Sequence, residues 1–448
     1  MIECPVARAA RLRPDGRALV WNGHASTYRD LDAAVRRWHG ALAAHGSGRA
    51  VVRSENRPEL VALLHAAPRA GVELAVLNAR LAEAELPPLL ERLGPALRLG
   101  ALPGGAPLQG FASDARPADP PPIDPSRVHT ILFTSGTTGR AKAAQLAVGA
   151  HQASARASIE TLRMDGDSAY LCNLPLFHVG GIATAIRCAE AGATLVLHDY
   201  FDAAASAEAL ASGVTHASLV ATTLRRLLDV RSAFPDSVRA VLVGGGPVPP
   251  ELLARARAAG LPVLLTYGLT EAASQVSAEL LGEADGTTAG PPLPGTEVRI
   301  ADGEIEVRGP TMMLGYLGEP PLRGWFRTGD LGELDARGRL VVHARRADLI
   351  VSGGENVYPA EVEAVLLAHP AVVDCAVVPW PDEHLGQVGC AAVVAPEPVA
   401  ETELRDYLRA RLAGYKVPRR FALLDSLPRN AAGKTDRPAL LAHLRGRR

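Results

Sequence analysis

Between residues 131 and 266 the chain repeats one pattern. Six apolar runs of strand length occur here: Ile131–Thr134, Ala169–Leu171, Thr194–Leu197, Ala217–Val220, Ala240–Val243 and Val263–Thr266. Those ending at Thr134, Val220, Val243 and Thr266 empty into Gly- or Thr-rich turns, and helical patterns such as ELLARARAA (251–259) lie between the runs. Strand–helix alternation of this kind predicts a parallel α/β sheet covered on both faces. In such sheets ligands collect beyond the carboxyl ends of the strands. Thr134–Gly139, Gly244–Gly246 and Tyr267–Glu271 fall at those ends.

The flanking segments read differently. Thr27 with Asp30 and Leu31 predicts a capped helix to about Ala44, and Val51-Val52 and Leu74–Leu77 read as short strands. Residues 101–126, rich in Pro, Gly and Ala, read as a loop or linker. From about residue 285, pieces such as EVRI, GEIEVRGP and GRLVVH predict a smaller β-rich region. Beyond Asp348 a helix over 359–368, strands at Ala376–Val378 and Ala391–Val394, and a helix over 402–412 predict a small α+β domain.

Composition excludes several classes. The chain has 448 residues and a net charge of −1, so no strong field favours nucleic acid or an anionic membrane surface. The start lacks the apolar centre of a secretion signal, and no apolar stretch is long enough to span a bilayer. The five cysteines show neither C-x-x-C pairing nor zinc spacing, which fits thiols in a reducing cytoplasm. Three lysines (Lys142, Lys416, Lys434) stand against 44 arginines. Lys is a compact point charge and Arg a planar fork, so a surviving Lys marks a place where Arg cannot substitute.

The stretch ILFTSGTTGRAKAAQL (131–146) reads as a phosphate-holding loop. Gly-rich turns expose backbone N–H groups, and hydroxyls add donors. The Walker pattern fails twice, because Ala141 stands where its second Gly would be and Ala143 where its metal-binding Ser or Thr would be.

Seven stretches together resemble the adenylate-forming (AMP-binding) acyl-CoA synthetase superfamily. They are TSGTTGRAK (134–142), LPLFHVGG (174–181), VGGGPVP (243–249), TYGLTEA (266–272), WFRTGDLG (325–332), RRADLIVSGGENVYPAEVE (345–363) and PRNAAGKTDR (428–437). Within it, LPLFHVGG with Arg187, LHDYFD (197–202) and SLVATTLRRLL (218–228) are similar to the branch that activates o-succinylbenzoate for menaquinone synthesis. The resemblance implies an N-terminal domain over 1–345 for ATP and acyl substrate. A mobile C-terminal lid over 346–448 would carry the catalytic Lys and the CoA-side loop.

It also implies roles. Thr134, Ser135, Gly136, Thr137, Thr138, Gly139 and Lys142 would hold the β- and γ-phosphates of ATP. Gly244, Gly245, Gly246, Tyr267 and Gly268 would border adenine. Thr270 would touch the α-phosphate and Glu271 would hold Mg2+, which needs few protein ligands because it keeps waters and takes phosphate oxygens. Asp330 and Arg345 would contact ribose. His178 and Thr222 would line the acyl site, with Thr223, Arg225 and Arg187 as further candidates for a second carboxylate. Gly353 and Gly354 would meet CoA. Lys434 would bridge the attacking carboxylate and the α-phosphate, offsetting their repulsion. Lys416 sits at a motif position with a structural reading open. The hinge falls at Arg345–Asp348, where Ala347 replaces the Asp or Lys frequent in the family.

Residues 174–181 contain no acid, which argues against an amino-acid substrate. The expected partners are therefore a small carboxylate, ATP and CoA, without nucleic acid or membrane insertion; a homodimer is compatible with the chain. Three other readings stay open: another aryl- or acyl-CoA ligase, an enzyme that loads a carrier protein, and a non-catalytic nucleotide-binding homologue.

Overall fold

Two sheets built from the predicted apolar runs organise the first of two units into which the chain divides. The computed structural model describes residues 1–119, 121–134, 142–345, 348–352, 355–430 and 434–446, with backbone alone at 344, 345, 355 and 356. Unit 1 comprises Met1–Gly245, Ala256–Val298 and Val307–Phe326; unit 2 comprises Gly246–Arg255, Arg299–Glu306 and Arg327–Arg448. Among the described residues no helix is long and apolar enough to cross a membrane.

The larger sheet of unit 1 has eight strands. Their order is Ser274–Ala278, Val263–Leu269, Ala240–Val243, His216–Leu219, Ala169–Cys172, Thr194–Leu197, Arg17–Trp21 and His24–Thr27. Its interior pairs are parallel and both edge pairs are antiparallel. Ala240–Val243 is buried at every position, as expected of a strand covered on both faces. The second sheet has six strands, in the order Gly315–Tyr316, Lys142–Ala147, Val128–Thr134, Glu73–Leu77, Arg49–Arg53 and Leu97–Gly100. The helix predicted from Thr27 runs Tyr28–His45 and opens with a reciprocal Thr27–Asp30 capping box, while Gly46 ends it in the left-handed region.

Two expectations change. The stretch 101–126 is a loop but not a linker, because Leu102, Leu108, Ala112 and Ile123 are buried and Ile123 bridges to Ile2. Its apolar side chains are spaced too irregularly to show a period. The strand expected to stop at Thr266 continues to Leu269, held by antiparallel pairing with Ser274–Ala278. Tyr267 and Gly268 therefore lie within a strand rather than after it. The helices Val148–Leu162 and Val179–Ala191 are buried on most faces, so they lack the one-sided period that would reveal them.

In unit 2, Asp374–Asp382 and Gly386–Val394 form one long hairpin, extending both predicted strands to nine residues each. Ile350–Ser352, Glu355–Val357 and Arg420–Leu423 complete that sheet. The helices Pro359–Leu367 and Glu401–Arg409 match their predicted places to within a few residues. A four-stranded sheet in the order Glu297–Ala301, Glu304–Arg308, Phe326–Leu334 and Leu340–Arg345 accounts for the predicted β-rich region.

Candidate active site

In unit 1 the elements around the phosphate motif converge on one tyrosine. Thr134 ends its strand, Lys142 begins the next, and the two pair across the hairpin. Ser135, Gly136, Thr137, Thr138 and Gly139 lie outside the described residues. The ammonium of Lys142 sits 4.6 Å from the centre of the Tyr316 ring. The Tyr316 hydroxyl donates to Glu271 Oε1 at 2.7 Å. Lys142 and Glu271, 129 positions apart in sequence, thus flank one side chain.

Glu271 occupies a single 3-10 turn, Thr270–Ala272, and both Thr270 and Glu271 are half-buried. The backbone leaves that turn under strain. Ala273 has φ 50° and Ser274 φ 110°, regions that side-chain-bearing residues rarely adopt. Glycine is required just before it, since a Cβ on Gly268 would lie 2.0 Å from the Ser274 carbonyl oxygen. Gly244 is similarly constrained, with its Cβ position 2.6 Å from the Thr266 carbonyl oxygen, and Gly245 has φ 81°. Gly246 has open space beside its Cα. The backbone at Gly244 and that of the strand leading into Tyr267 are thus close-packed, which only glycine permits.

The LPLFHVGG stretch is fixed by a residue the sequence reading did not single out. Asn56, 2% exposed, donates from Nδ2 to the carbonyls of Leu174 (3.0 Å) and His198 (2.9 Å), and its Oδ1 accepts from Leu176 N (2.7 Å). One amide thereby ties this loop to the LHDYFD segment. Nothing in SENRPEL marks Asn56 in sequence, because its partners are backbone groups 118 to 142 positions away. His178 is half-buried at the N-cap of the helix Val179–Ala191, its ring 5.6 Å from that of Phe177. Burial of neighbouring His198 pushes its pKa down.

On that helix Arg187 is 2% exposed. Its guanidinium donates to Tyr170 Oη (3.0 Å), Ser158 Oγ (3.1 Å) and Gln275 Oε1 (3.0 Å), while Nε has no hydrogen-bond partner among the described residues. All are neutral acceptors, an unusual environment for a buried charge. Gln275 also donates to Thr266 Oγ1, next to Tyr267. Burial raises the pKa of Tyr170, and raises that of nearby Cys172 to about 12, so that thiol is not a nucleophile. Thr222 is exposed, the Thr223 hydroxyl caps its helix at Val220, and Arg226 lies over the Phe201 ring. Arg225 is half-buried on the same helix.

Unit 2 holds the remaining motifs. Asp330 is 7% exposed on the strand Phe326–Leu334 and pairs in register with Arg345, whose side chain lies outside the described structure. The turn before Asp330 is held by Glu304, which accepts from Gly329 N (3.0 Å) and from Arg327 (2.7 Å). Lys434 is exposed, and its loop is closed by Asn430. Lys416 pairs with Glu361 at 2.6 Å, the structural role left open above. Ala347, Gly353 and Gly354 lie outside the described residues. Among the described residues no group of three acidic, His or Cys side chains could hold a metal by itself. A single carboxylate aided by phosphate oxygens still suits Mg2+. Glu271 fits that role, since its Oε2 takes no hydrogen bond among the described residues.

This fold and these motifs define an adenylate-forming enzyme. The AMP-binding enzyme model matches residues 6–317 and the AMP-binding enzyme C-terminal domain model residues 361–434, and the chain belongs to the AMP-binding enzyme family. It is 38% identical to the 2-succinylbenzoate–CoA ligase of Bacillus licheniformis, over 96% of this chain and 98% of that one. The solved o-succinylbenzoate CoA synthetase (MenE) from Bacillus subtilis, in complex with the acyl-adenylate intermediate OSB-AMP, superimposes with a TM-score of 0.91 at 36% identity, covering 98% of each chain. The same enzyme in complex with ATP and magnesium gives 0.90, covering 98% of this chain and 99% of that one. ATP-bound MatB from Rhodopseudomonas palustris gives 0.89 at 26% identity over 99% of each chain, so fold alone does not choose the substrate.

Proposed function

We propose that this chain is an ATP-dependent 2-succinylbenzoate–CoA ligase that acts through an acyl-adenylate. The observation that carries the substrate reading is Arg187, a buried cation whose described partners are all neutral. 2-Succinylbenzoate has two carboxylates. One is activated, and the other supplies the counter-charge that Arg187 lacks among the described residues. Near-full-length similarity to ligases of that name supports the same assignment.

In the first step a carboxylate oxygen attacks the α-phosphorus of ATP and pyrophosphate leaves. Thr134, Lys142 and the loop between them hold the β- and γ-phosphates. Glu271 would hold Mg2+, which when bound neutralises phosphate charge. Tyr267 borders adenine, Asp330 and Arg345 hold ribose, and Thr270 lies against the α-phosphate. Lys434 bridges the two reacting anions. Catalysis then rests on positioning and charge neutralisation rather than on a covalent enzyme intermediate.

In the second step the CoA thiol, losing its proton, attacks the acyl carbon and AMP leaves. Unit 2 carries a concave face of about 680 Å3 lined by Ser352, Arg405, Arg409, Tyr415 and Arg419, and its cations suit the phosphates of CoA. We assign Gly353 and Gly354 to the thiol side and His178 to the acyl side, with the domain boundary after Arg345. The buried, free cysteines support a reducing cytoplasmic setting.

The test is pyrophosphate release across a panel of carboxylates, with and without CoA. The expected result is release with 2-succinylbenzoate, slow turnover without CoA, and acyl-CoA formation with it. Equal activity on a monocarboxylate such as benzoate would overturn the substrate assignment.

A further inference from the structure

Tyr316 has no role in the reaction scheme above, yet its side chain touches both charged groups of the nucleotide site. We infer that Tyr316 is a positioning residue that holds Lys142 and Glu271 apart, so that the cation stays available to phosphate and the carboxylate to metal. The inference rests on the nucleotide reading given above.

Three features of the structure support it. First, the two contacts use opposite ends of the tyrosine's electrostatics. The Lys142 ammonium lies 4.6 Å from the ring centroid, where the π face is negative, and the hydroxyl, a donor, meets Glu271 Oε1 at 2.7 Å. Each charge is stabilised without meeting the other, and among the described residues neither forms an ion pair. A leucine would offer neither contact.

Second, the backbone around Tyr316 is bonded to the carriers of both charges. Gly315 and Tyr316 pair with Gln145 and Ala144 of the strand that begins at Lys142. Leu314 N donates to Gln145 O (2.9 Å) and Leu317 N to Ala143 O (2.8 Å). On the other side Met313 N donates to the Glu271 carbonyl (2.7 Å). Five consecutive residues therefore clamp the Lys142 strand to the Glu271 turn. Gly315, with φ 147° and a Cβ position 3.1 Å from Pro320 O, permits the bend that delivers the ring.

Third, the geometry is selective at the carboxylate. The hydroxyl engages Oε1, while Oε2 accepts from no described group. A carboxylate oriented through one oxygen presents the other in a fixed direction, as hydrogen-bonded metal ligands commonly do.

The experiment is calorimetric titration of the full chain with β,γ-methylene-ATP, once with excess Mg2+ and once with a chelator. Tyr316→Phe removes the hydroxyl and keeps the ring; Tyr316→Leu removes both. Tyr316→Phe is expected to weaken the Mg2+-loaded analogue about tenfold, the scale of one lost hydrogen bond to a charged group. It should leave the metal-free analogue and the thermal midpoint unchanged. Tyr316→Leu is expected to weaken both forms, because Lys142 and Glu271 can then pair. Wild-type affinities for Tyr316→Phe, or equal losses with and without Mg2+, would overturn the inference. A wild-type chain that binds neither form overturns the nucleotide reading, and this inference with it.

Discussion

Asn430 clasps Lys434 by the backbone on both sides. Its Oδ1 accepts from Lys434 N at 3.0 Å, and its own N donates to the Lys434 carbonyl at 2.7 Å. The flanking pair Arg429 and Thr435 forms an isolated bridge that closes the same loop. An exposed, flexible lysine is thereby carried on a defined base, which lowers the entropy of placing its ammonium.

Two substitutions separate the charge from its support. Lys434→Ala should abolish pyrophosphate release while added acyl-adenylate is still converted to acyl-CoA. Asn430→Ala should slow pyrophosphate release about tenfold, the effect of losing one good hydrogen bond at a catalytic group. Its thermal midpoint should stay near wild type. Rates of the two half-reactions, measured separately, check both outcomes.

Arg437, three residues beyond Lys434, joins two acids in unit 2. It lies 2.8 Å from Glu363 and 3.4 Å from Asp348, and Glu363 also accepts from Val377 N. Removing the cation would leave Glu363 nearly buried without its partner. Arg437→Ala should therefore cost about 3 kcal/mol in a denaturant titration. Arg437→Gln should cost less than Arg437→Ala, because an amide still donates to Glu363. Equal stability of Arg437→Ala and wild type would count against this account.

Acid should destabilise unit 1. Burial pushes His65 down to about 3, His129 to about 4 and His151 well below its ordinary value. All three are neutral in the folded chain near pH 6, whereas unfolded histidines take up protons below about pH 6.5. Stability is therefore complete above about pH 6.5 and is lost as pH falls from there toward about 3, the value to which His65 is pushed. Each histidine contributes up to about 1.4 kcal/mol per pH unit. His65→Leu should flatten the decline in urea midpoint between pH 7 and pH 5.

Arg187→Met tests the second-carboxylate site. It should raise KM for 2-succinylbenzoate by about tenfold or more, as expected for a lost charged hydrogen bond, with KM for ATP unchanged. Apolar replacement of a buried charge that lacks a counter-ion commonly leaves stability equal or higher. An unchanged substrate KM would remove Arg187 from the site.

Gly268→Ala should be damaging for steric reasons alone, with its new methyl placed 2.0 Å from the Ser274 carbonyl. A cost of about 1–3 kcal/mol is expected, with weakened nucleotide binding. Gly48→Ala, where a Cβ meets nothing within 4 Å, should be neutral in both thermal-melt and binding assays.

The sequence by itself determined the sheet-forming runs, the capped helix from Thr27 and the identity of the chemical groups. These signals are local. Apolar runs of four residues, a Thr three positions before an Asp, and glycines beside hydroxyls state their physics within a few positions. The scarcity of lysine added a filter, and all three lysines fall at motif positions, of which Lys416 pairs with Glu361 in the structure. The tertiary structure alone decided which distant groups support those residues. Asn56 reaches carbonyls more than a hundred positions away, Arg187 is buried among neutral partners, and Tyr316 stands between Lys142 and Glu271. None of these has a sequence period, because hydrogen-bond acceptors and ring faces are set by packing rather than by neighbours along the chain.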